Sequence, residues 1–323
     1  LADLLHKMPD TRQQLQAARD GLGQQGSPVA EGASLSDALG THARQRVFLN
    51  VAQKKTHAWH KQQLSTDEKA WFEGAGGASA GAFLGYPEDA CCSMEDELWS
   101  TALRLRLGFE RAEHTQQSLF LAADTCSNKT ADGRTCNGAL DKRGKHASNC
   151  KCGGGVDRRH AGLAQTSAGL LKRWTGQGAL LEQRVPTWDR PRRNPKPDED
   201  PLERAKLDVE YTDGTERRWL DVTARHPAGG TAADTAAAAR KPGETNRRAE
   251  RAKHERYLGP QLTAFAVELP GRLGGEARLW LQQQVRRLPN DLWTAELNRA
   301  YKAVSCSLQS HVALQLRKAS GLA

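Results

Sequence analysis

The chain has 323 residues, enough for a sizeable buried core and for more than one domain. Its mean hydropathy is −0.70, and no stretch approaches the roughly 18 consecutive apolar residues that a membrane helix needs, so no membrane partner is expected. Lysine and arginine number 47 against 38 aspartates and glutamates, a net charge of +9, and that excess favours a polyanionic partner, DNA first and RNA second. The chain opens at Leu1 without a charged-then-apolar leader and reads as a piece of a longer protein.

In chain order, residues 1–119 read as a helical N-terminal region. It is interrupted at Gly21-Leu22-Gly23 and at the glycine-rich run from Gly74 to Gly81. Within it, residues 95–111 form an amphipathic helix with Leu98, Ala102, Leu105 and Phe109 on one face. Residues 120–156 are rich in Cys, His and Gly and poor in core formers. Such a segment cannot fold on its own apolar area and usually needs a metal. Residues 157–290 begin with a helix over 157–176, with Leu163, Leu170, Leu171 and Trp174 buried. The pattern then switches to short apolar or alternating runs at 179–186, 205–211, 218–225 and 262–270, read as strands. Asp213-Gly214 between the second and third is a hairpin signal. The Pro- and Arg-rich stretch 186–201 reads as a long loop. Helices are expected at 247–257 and 276–287, and residues 291–323 form a C-terminal helical segment. The fold class is therefore α/β: a mixed sheet flanked by helices, with a helical N-terminal region and a small Cys/His module.

The seven cysteines are odd in number, and four of them cluster with a histidine. Without a secretory leader, metal binding fits this better than a disulfide framework. Cys126-x9-Cys136-x9-His146-x3-Cys150 offers three thiolates and one imidazole, the soft tetrahedral set that Zn²⁺ prefers. His146 and Cys150 are one helical turn apart. Cys152 competes with Cys126 for the fourth position.

A second constellation is made of carboxylates. Asp208 and Asp221 each stand in a Leu-Asp-Val triplet on adjacent predicted strands. A carboxylate flanked by apolar strand residues is costly unless it is paired or metal-bound. A hairpin can bring two of them to one Mg²⁺ or Mn²⁺, the hard cation that phosphodiester hydrolysis uses. Glu182 is a candidate third carboxylate. Lys253 is the candidate cation that orients water or stabilises charge in the transition state. The arginine-rich stretches 184–196, with Arg192 and Arg193, and 240–256, with Arg247 and Arg248, are candidate phosphate contacts.

The order GKHASNCKCGGGVDRRH (144–160), LLEQRVP, RAKLDVEY (204–211), WLDVTARHP (219–227) and AKHERYLG (252–259) resembles one family. It is similar to the C-terminal region of site-specific retrotransposon proteins without long terminal repeats. In these a reverse transcriptase is followed by a Cys-Cys-His-Cys module and a restriction-like endonuclease. The resemblance covers roughly residues 98–285. It implies a PD-(D/E)xK-type core in which Asp208 and Asp221 bind the metal and Glu182 matches an acidic residue on the preceding element. Lys253 and Tyr257 match the basic helix, and Arg159 with His160 match a basic pair after the glycines, which either contacts the phosphates of nucleic acid or has a structural role such as capping the helix. It also implies nuclear localisation and nicking of a target strand whose 3′ hydroxyl primes reverse transcription. Two departures stand out. The family's Pro-Asp is here Leu207-Asp208, and the lysine two residues past the second acid is here Thr223, which leaves Lys253, or else Lys206, to supply the charge. A catalytically decayed nucleic-acid-binding module is the alternative expectation.

Overall fold

The computed structural model describes residues 57–77, 79–85, 87, 89–107, 124–141, 144–192, 194 and 199–322. Residues 66–323 form one compact unit. Phe109 and Arg193, both singled out above, lie outside the described residues.

Four strands carry the architecture, and each falls where alternation predicts one. They are β1 (Leu180–Arg184), β4 (Lys206–Asp213), β5 (Glu216–Arg225) and β6 (Leu262–Glu268), in the order β1-β4-β5-β6. The stretch read as a long loop contains a two-residue ladder, β2 (Arg190–Pro191) against β3 (Leu202–Glu203). β1, β4 and β5 form an antiparallel meander. The β4–β5 turn follows Asp213, and Gly214 takes φ +64 there, a left-handed value that glycine adopts without a Cβ penalty. β6 runs parallel to β5, pairing Asp221 with Ala264. A parallel neighbour requires a crossover, which two helices supply: α5 (Ala232–Arg240) and α6 (Glu244–Arg256).

Around the sheet stand α1 (Thr66–Gly74), α2 (Asp96–Leu107), α3 (Lys145–Asn149), α4 (Gly155–Thr175), α7 (Gly275–Val285) and α8 (Trp293–Ala319). α4 ends at Gly176 in the left-handed conformation, with its N–H returned to Lys172 O, a common C-terminal stop. α5 was not anticipated, yet its start is marked in the sequence. Thr231 and Asp234 form a reciprocal capping box.

The main core cluster joins α4, the sheet and α8. Leu163, Leu170 and Leu171 of α4 meet Val209, Leu220 and Val222 of the sheet, and Leu308, Val312 and Leu316 of α8 join the same cluster. Cys126, Ala147 and Cys150 belong to it as well, so the Cys/His segment, the sheet and the last helix share one apolar interior. Tyr211, Phe265 and Trp280 meet edge to face at 5.7–6.2 Å, and Trp280 donates to Tyr211 Oη at 3.0 Å. α4 and α8 approach so closely at Gly162 that a Cβ there would lie 2.2 Å from His311 Cε1.

Glu268 closes β6 with 1% of its surface exposed. Burial pushes its carboxyl up to about 7, against the pull of Arg272 and of amides at the start of α6. The folded state therefore holds this proton while the unfolded chain, near 4.5, has released it. The sign follows: stability declines as pH rises from about 4.5 through 7. Glu268→Gln should match the wild type near pH 4.5. At pH 8.5 it should be more stable by roughly 1–3 kcal/mol, as read from urea unfolding at the two pH values.

Candidate functional site

The Cys/His segment folds as a tight loop closed by antiparallel bridges at Thr125–Ala139 and Lys129–Thr135. Cys126 N–H donates to Gly138 O and Cys136 N–H to Asn128 O, both at 2.8 Å. Asp141 accepts from the backbone amides of Lys145 and His146 at 2.9 and 2.8 Å, which starts α3. A side chain at 138 would collide with that ring, since a Cβ would stand 2.2 Å from His146 Cε1.

These elements bring Cys126, Cys136, His146 and Cys150 together, with their ligand atoms all within 4.8 Å of one another. The sulfurs of Cys126 and Cys150 are 3.7 Å apart, those of Cys150 and Cys136 are 3.6 Å apart, and Cys136 Sγ lies 3.4 Å from His146 Nε2. A tetrahedron with 2.3 Å metal–sulfur arms has edges of about 3.8 Å. The quartet therefore has the donor set and spacing to hold a metal such as zinc. Cys126 completes the group, and Cys152 stands beside Cys136 and Cys150 but outside it. Burial pushes the Cys126 thiol up to about 12, whereas the Gly138 amide draws Cys136 down to about 7. Binding a cation here must release protons.

The carboxylate pair is built by the hairpin. The β4–β5 ladder runs to Val209↔Leu220, and one step further Asp208 and Asp221 meet, their carboxyls in direct interaction. Asp208 is held twice: Oδ2 accepts from Val222 N–H at 2.6 Å, and Oδ1 lies 2.7 Å from His160 Nε2. Asp221 is 3% exposed, and its Oδ2 is 2.7 Å from Lys253 Nζ on α6. That contact is an ion pair, and the oxygen has no donor aligned for a hydrogen bond.

The two acids are electrostatically distinct. Burial pushes Asp221 up to about 6, Lys253 pulls it back and the Asp208 charge pushes it up further. For Asp208 burial acts in the same direction, but its contacts with His160 prevail and leave the carboxyl below its usual value. His160 is correspondingly raised by its bond to Asp208, against burial. Two carboxyls pushed apart in this way, with a cation on each, form a polar centre inside an apolar sheet.

Several expected site residues are placed elsewhere. Glu182 does not join the pair. Its backbone turns to φ +54, which breaks the strand alternation, and its exposed carboxylate pairs with Lys206 at 2.5 Å. That pairing also engages Lys206, so Lys253 is the lysine at the acids. Arg159 is 2% exposed and is not a phosphate contact. It donates to Ser148 O at 2.9 Å and to Gln315 Oε1 at 2.6 Å, tying α3, α4 and α8 together. Tyr257 is likewise buried, stacked on Trp188 at 5.7 Å with Arg256 over its ring at 5.0 Å. His160, read as a phosphate contact, points to Asp208 instead. Arg192 is exposed and stands 3.7 Å from Glu199, Arg247 bonds to Glu244, and Arg248 pairs with Asp234.

Sequence reasoning found both acids and the lysine but missed the part played by His160. Its position six residues into a helix whose leucines face the sheet was the available clue. Among the described residues no helix is long and apolar enough to cross a membrane. Comparison with family models, characterised proteins and solved structures returns no match.

Proposed function

We propose that this chain is a metal-dependent DNA endonuclease with a restriction-like core, joined to a zinc-bound Cys/His module, of the kind found in retrotransposon proteins. The observation that carries the reading is the meeting of Asp208, Asp221 and Lys253. Their supports are a three-strand meander, a helical crossover and a parallel fourth strand. The resemblance implies a PD-(D/E)xK core of mixed α/β type, and a mixed sheet flanked by helices is compatible with it.

The donor chemistry fits a hard divalent cation. The two carboxyls interact directly, and Asp221 Oδ2 is a buried oxygen without an aligned donor. Asp208 and Asp221 would hold the ion, which when bound supplies charge neutralisation and water activation at a phosphodiester. Val222 N–H and His160 fix the Asp208 carboxylate in place. Lys253 sets a positive charge beside Asp221, where charge grows on the phosphate in the transition state. DNA and, secondarily, RNA are the proposed partners, and the nucleus is the proposed compartment.

A decayed, binding-only module is the second reading. It is favoured by one observation: His160 and Lys253 already compensate the two acids, and Glu182 adds no third carboxylate. Incubation of the zinc-loaded protein with supercoiled plasmid and Mg²⁺ separates the two. Open circles appearing with Mg²⁺, and not with EDTA, support the endonuclease, and intact plasmid supports the decayed module.

Binding itself should be electrostatic under either reading. Several exposed arginines are partly neutralised by neighbours, as in Arg190–Glu203 and Arg204–Asp200, so the number of phosphate contacts is smaller than the charge of the chain suggests. Affinity for a blunt duplex should still fall at least about tenfold between 50 and 200 mM salt, and about equally for unrelated sequences. Fluorescence anisotropy at the two salt concentrations measures it, and a flat response contradicts it.

A further inference from the structure

The Cys/His module holds one thiol more than a tetrahedral site needs. Cys152 stands outside the quartet, yet its thiol lies against those of Cys136 and Cys150. The quartet is also unevenly sheltered. Cys126 and Cys150 are 0% and 4% exposed, whereas Cys136 and Cys152 are only partly buried. A cavity of ≈ 820 Å³ borders the module, and its wall includes Cys136, Cys150 and Cys152 but not Cys126. A water takes roughly 30 Å³, so a small polar solute has room to reach these sulfurs from the cavity.

Thiolates beside a free thiol, open to water, are the setting in which a peroxide forms a disulfide. When bound, zinc keeps the quartet's thiols deprotonated, the form that an oxidant attacks. Cys136 is the most accessible sulfur of the four. Cys150 is better covered, and its link to Cys152 would have to close across the single residue Lys151. Cys152 also has room to move. It is followed by Gly153 at φ +74 and Gly154 at φ +63, two glycines that turn at little steric cost.

We propose that Cys152 is the resolving thiol of a peroxide-sensitive switch, in which oxidation joins Cys136 to Cys152 and withdraws one of the four ligands from the metal. The proposal rests on the reading of the quartet as a zinc site and adds a modification that empties it. The Cys136 thiolate attacks one oxygen of the peroxide: an S–O bond forms, the O–O bond breaks, and the departing hydroxide takes a proton from solvent to become water. Cys152 then attacks Cys136 Sγ. The S–S bond forms, the S–O bond breaks, and the second hydroxide leaves as water with the proton that Cys152 gives up. Two sulfurs lose two electrons between them, and one hydrogen peroxide is reduced to two waters. Cys126, His146 and Cys150 remain, an open three-ligand set from which water and chelators remove the ion.

The test uses the full chain, purified with zinc under reducing conditions and then treated with hydrogen peroxide beside a chromogenic zinc chelator. Zinc should be released as the disulfide forms, and dithiothreitol with fresh zinc should restore at least about nine-tenths of it. Trypsin cuts after Lys151 and so separates Cys150 from Cys152. Mass spectrometry without reduction should therefore find residues 135–142 linked to residues 152–158. Cys152→Ser should load zinc normally, but its Cys136 should advance to the sulfinic acid under peroxide, and reductant should recover less than about half of the zinc. A disulfide between any other pair overturns the proposal, as does a treated chain without the link or equal recovery from Cys152→Ser. Should Cys152→Ser disturb the fold, the linked peptides of the wild type decide alone. Zinc content before peroxide reports on the metal reading separately, and the linked peptides are decisive whatever that content is.

Discussion

Asp221→Asn is expected to lower plasmid nicking in Mg²⁺ by at least about a thousandfold, roughly 4 kcal/mol of lost transition-state stabilisation, while affinity for duplex DNA stays within about twofold. The substitution keeps the volume and planarity of a side chain with 3% exposure, so packing against Val222 and Ala264 is undisturbed. What it removes is one of two charges that a divalent cation needs. Asp221 is the more informative of the pair, because Asp208 also accepts the Val222 amide and would lose a structural bond. Lys253 would lose its partner at 2.7 Å, but its side chain reaches solvent and the Asp208 charge remains nearby. Thermal unfolding should therefore shift by only a few degrees. Nicking that persists within about tenfold of wild type would place the activity elsewhere in the chain or in a contaminant. A parallel loss of DNA binding would instead indicate a collapsed sheet.

The second large effect concerns the metal quartet. Purified protein should carry close to one equivalent of zinc, and Cys136→Ser should lose it. Structural zinc sites in isolated peptides account for about 10–16 kcal/mol of folding free energy. In a larger unit only part of that is lost, and a fall of at least about 3 kcal/mol corresponds to roughly 10 °C in Tm for a unit of this size. The drop should extend beyond the loop, because Cys126 and Cys150 belong to the same core cluster as α4, the sheet and α8. A chelator should reproduce it, and Cys152→Ser, outside the quartet, should leave both zinc content and Tm near wild type. Less than about half an equivalent of zinc, or a Tm unmoved by chelation, would rule out a structural metal.

Much of the fold was legible because its signals are local. Strand alternation located β1, β4, β5 and β6, and Asp213-Gly214 marked the hairpin that brings Asp208 and Asp221 together. The quartet was legible because thiol and imidazole clusters have few structural uses. The misplacements share one cause, namely that a residue's type does not reveal which way its backbone turns it. Glu182 occupies a strand position, and only its left-handed φ sends it outward to Lys206. Arg159 is adjacent to His160 on α4, but one neighbour is buried between Ser148 and Gln315 while the other reaches Asp208. Basic composition alone could not separate a tether from a phosphate contact. Tyr257 was drawn in by the basic helix before it, whereas Trp188, far off in sequence, decides its place.

The seam between the Cys/His loop and the end of α8 bears on how the chain is assembled during synthesis. Ser127 donates to the carbonyls of Lys318 and Ala319, 191 and 192 positions later, and its own amide bonds to Ala319 O at 2.8 Å. Leu316 stands where a side chain at Gly144 would be, and Gln315 receives Arg159. The loop emerges from the ribosome well before these partners, so in that interval it depends on its own hydrogen bonds and on the metal that the quartet is proposed to hold. Its native environment is completed only when residues 315–319 have left the exit tunnel. Nascent chains stalled before Gln315 should hold zinc yet leave the loop open to protease, and release of the last turn of α8 should close it.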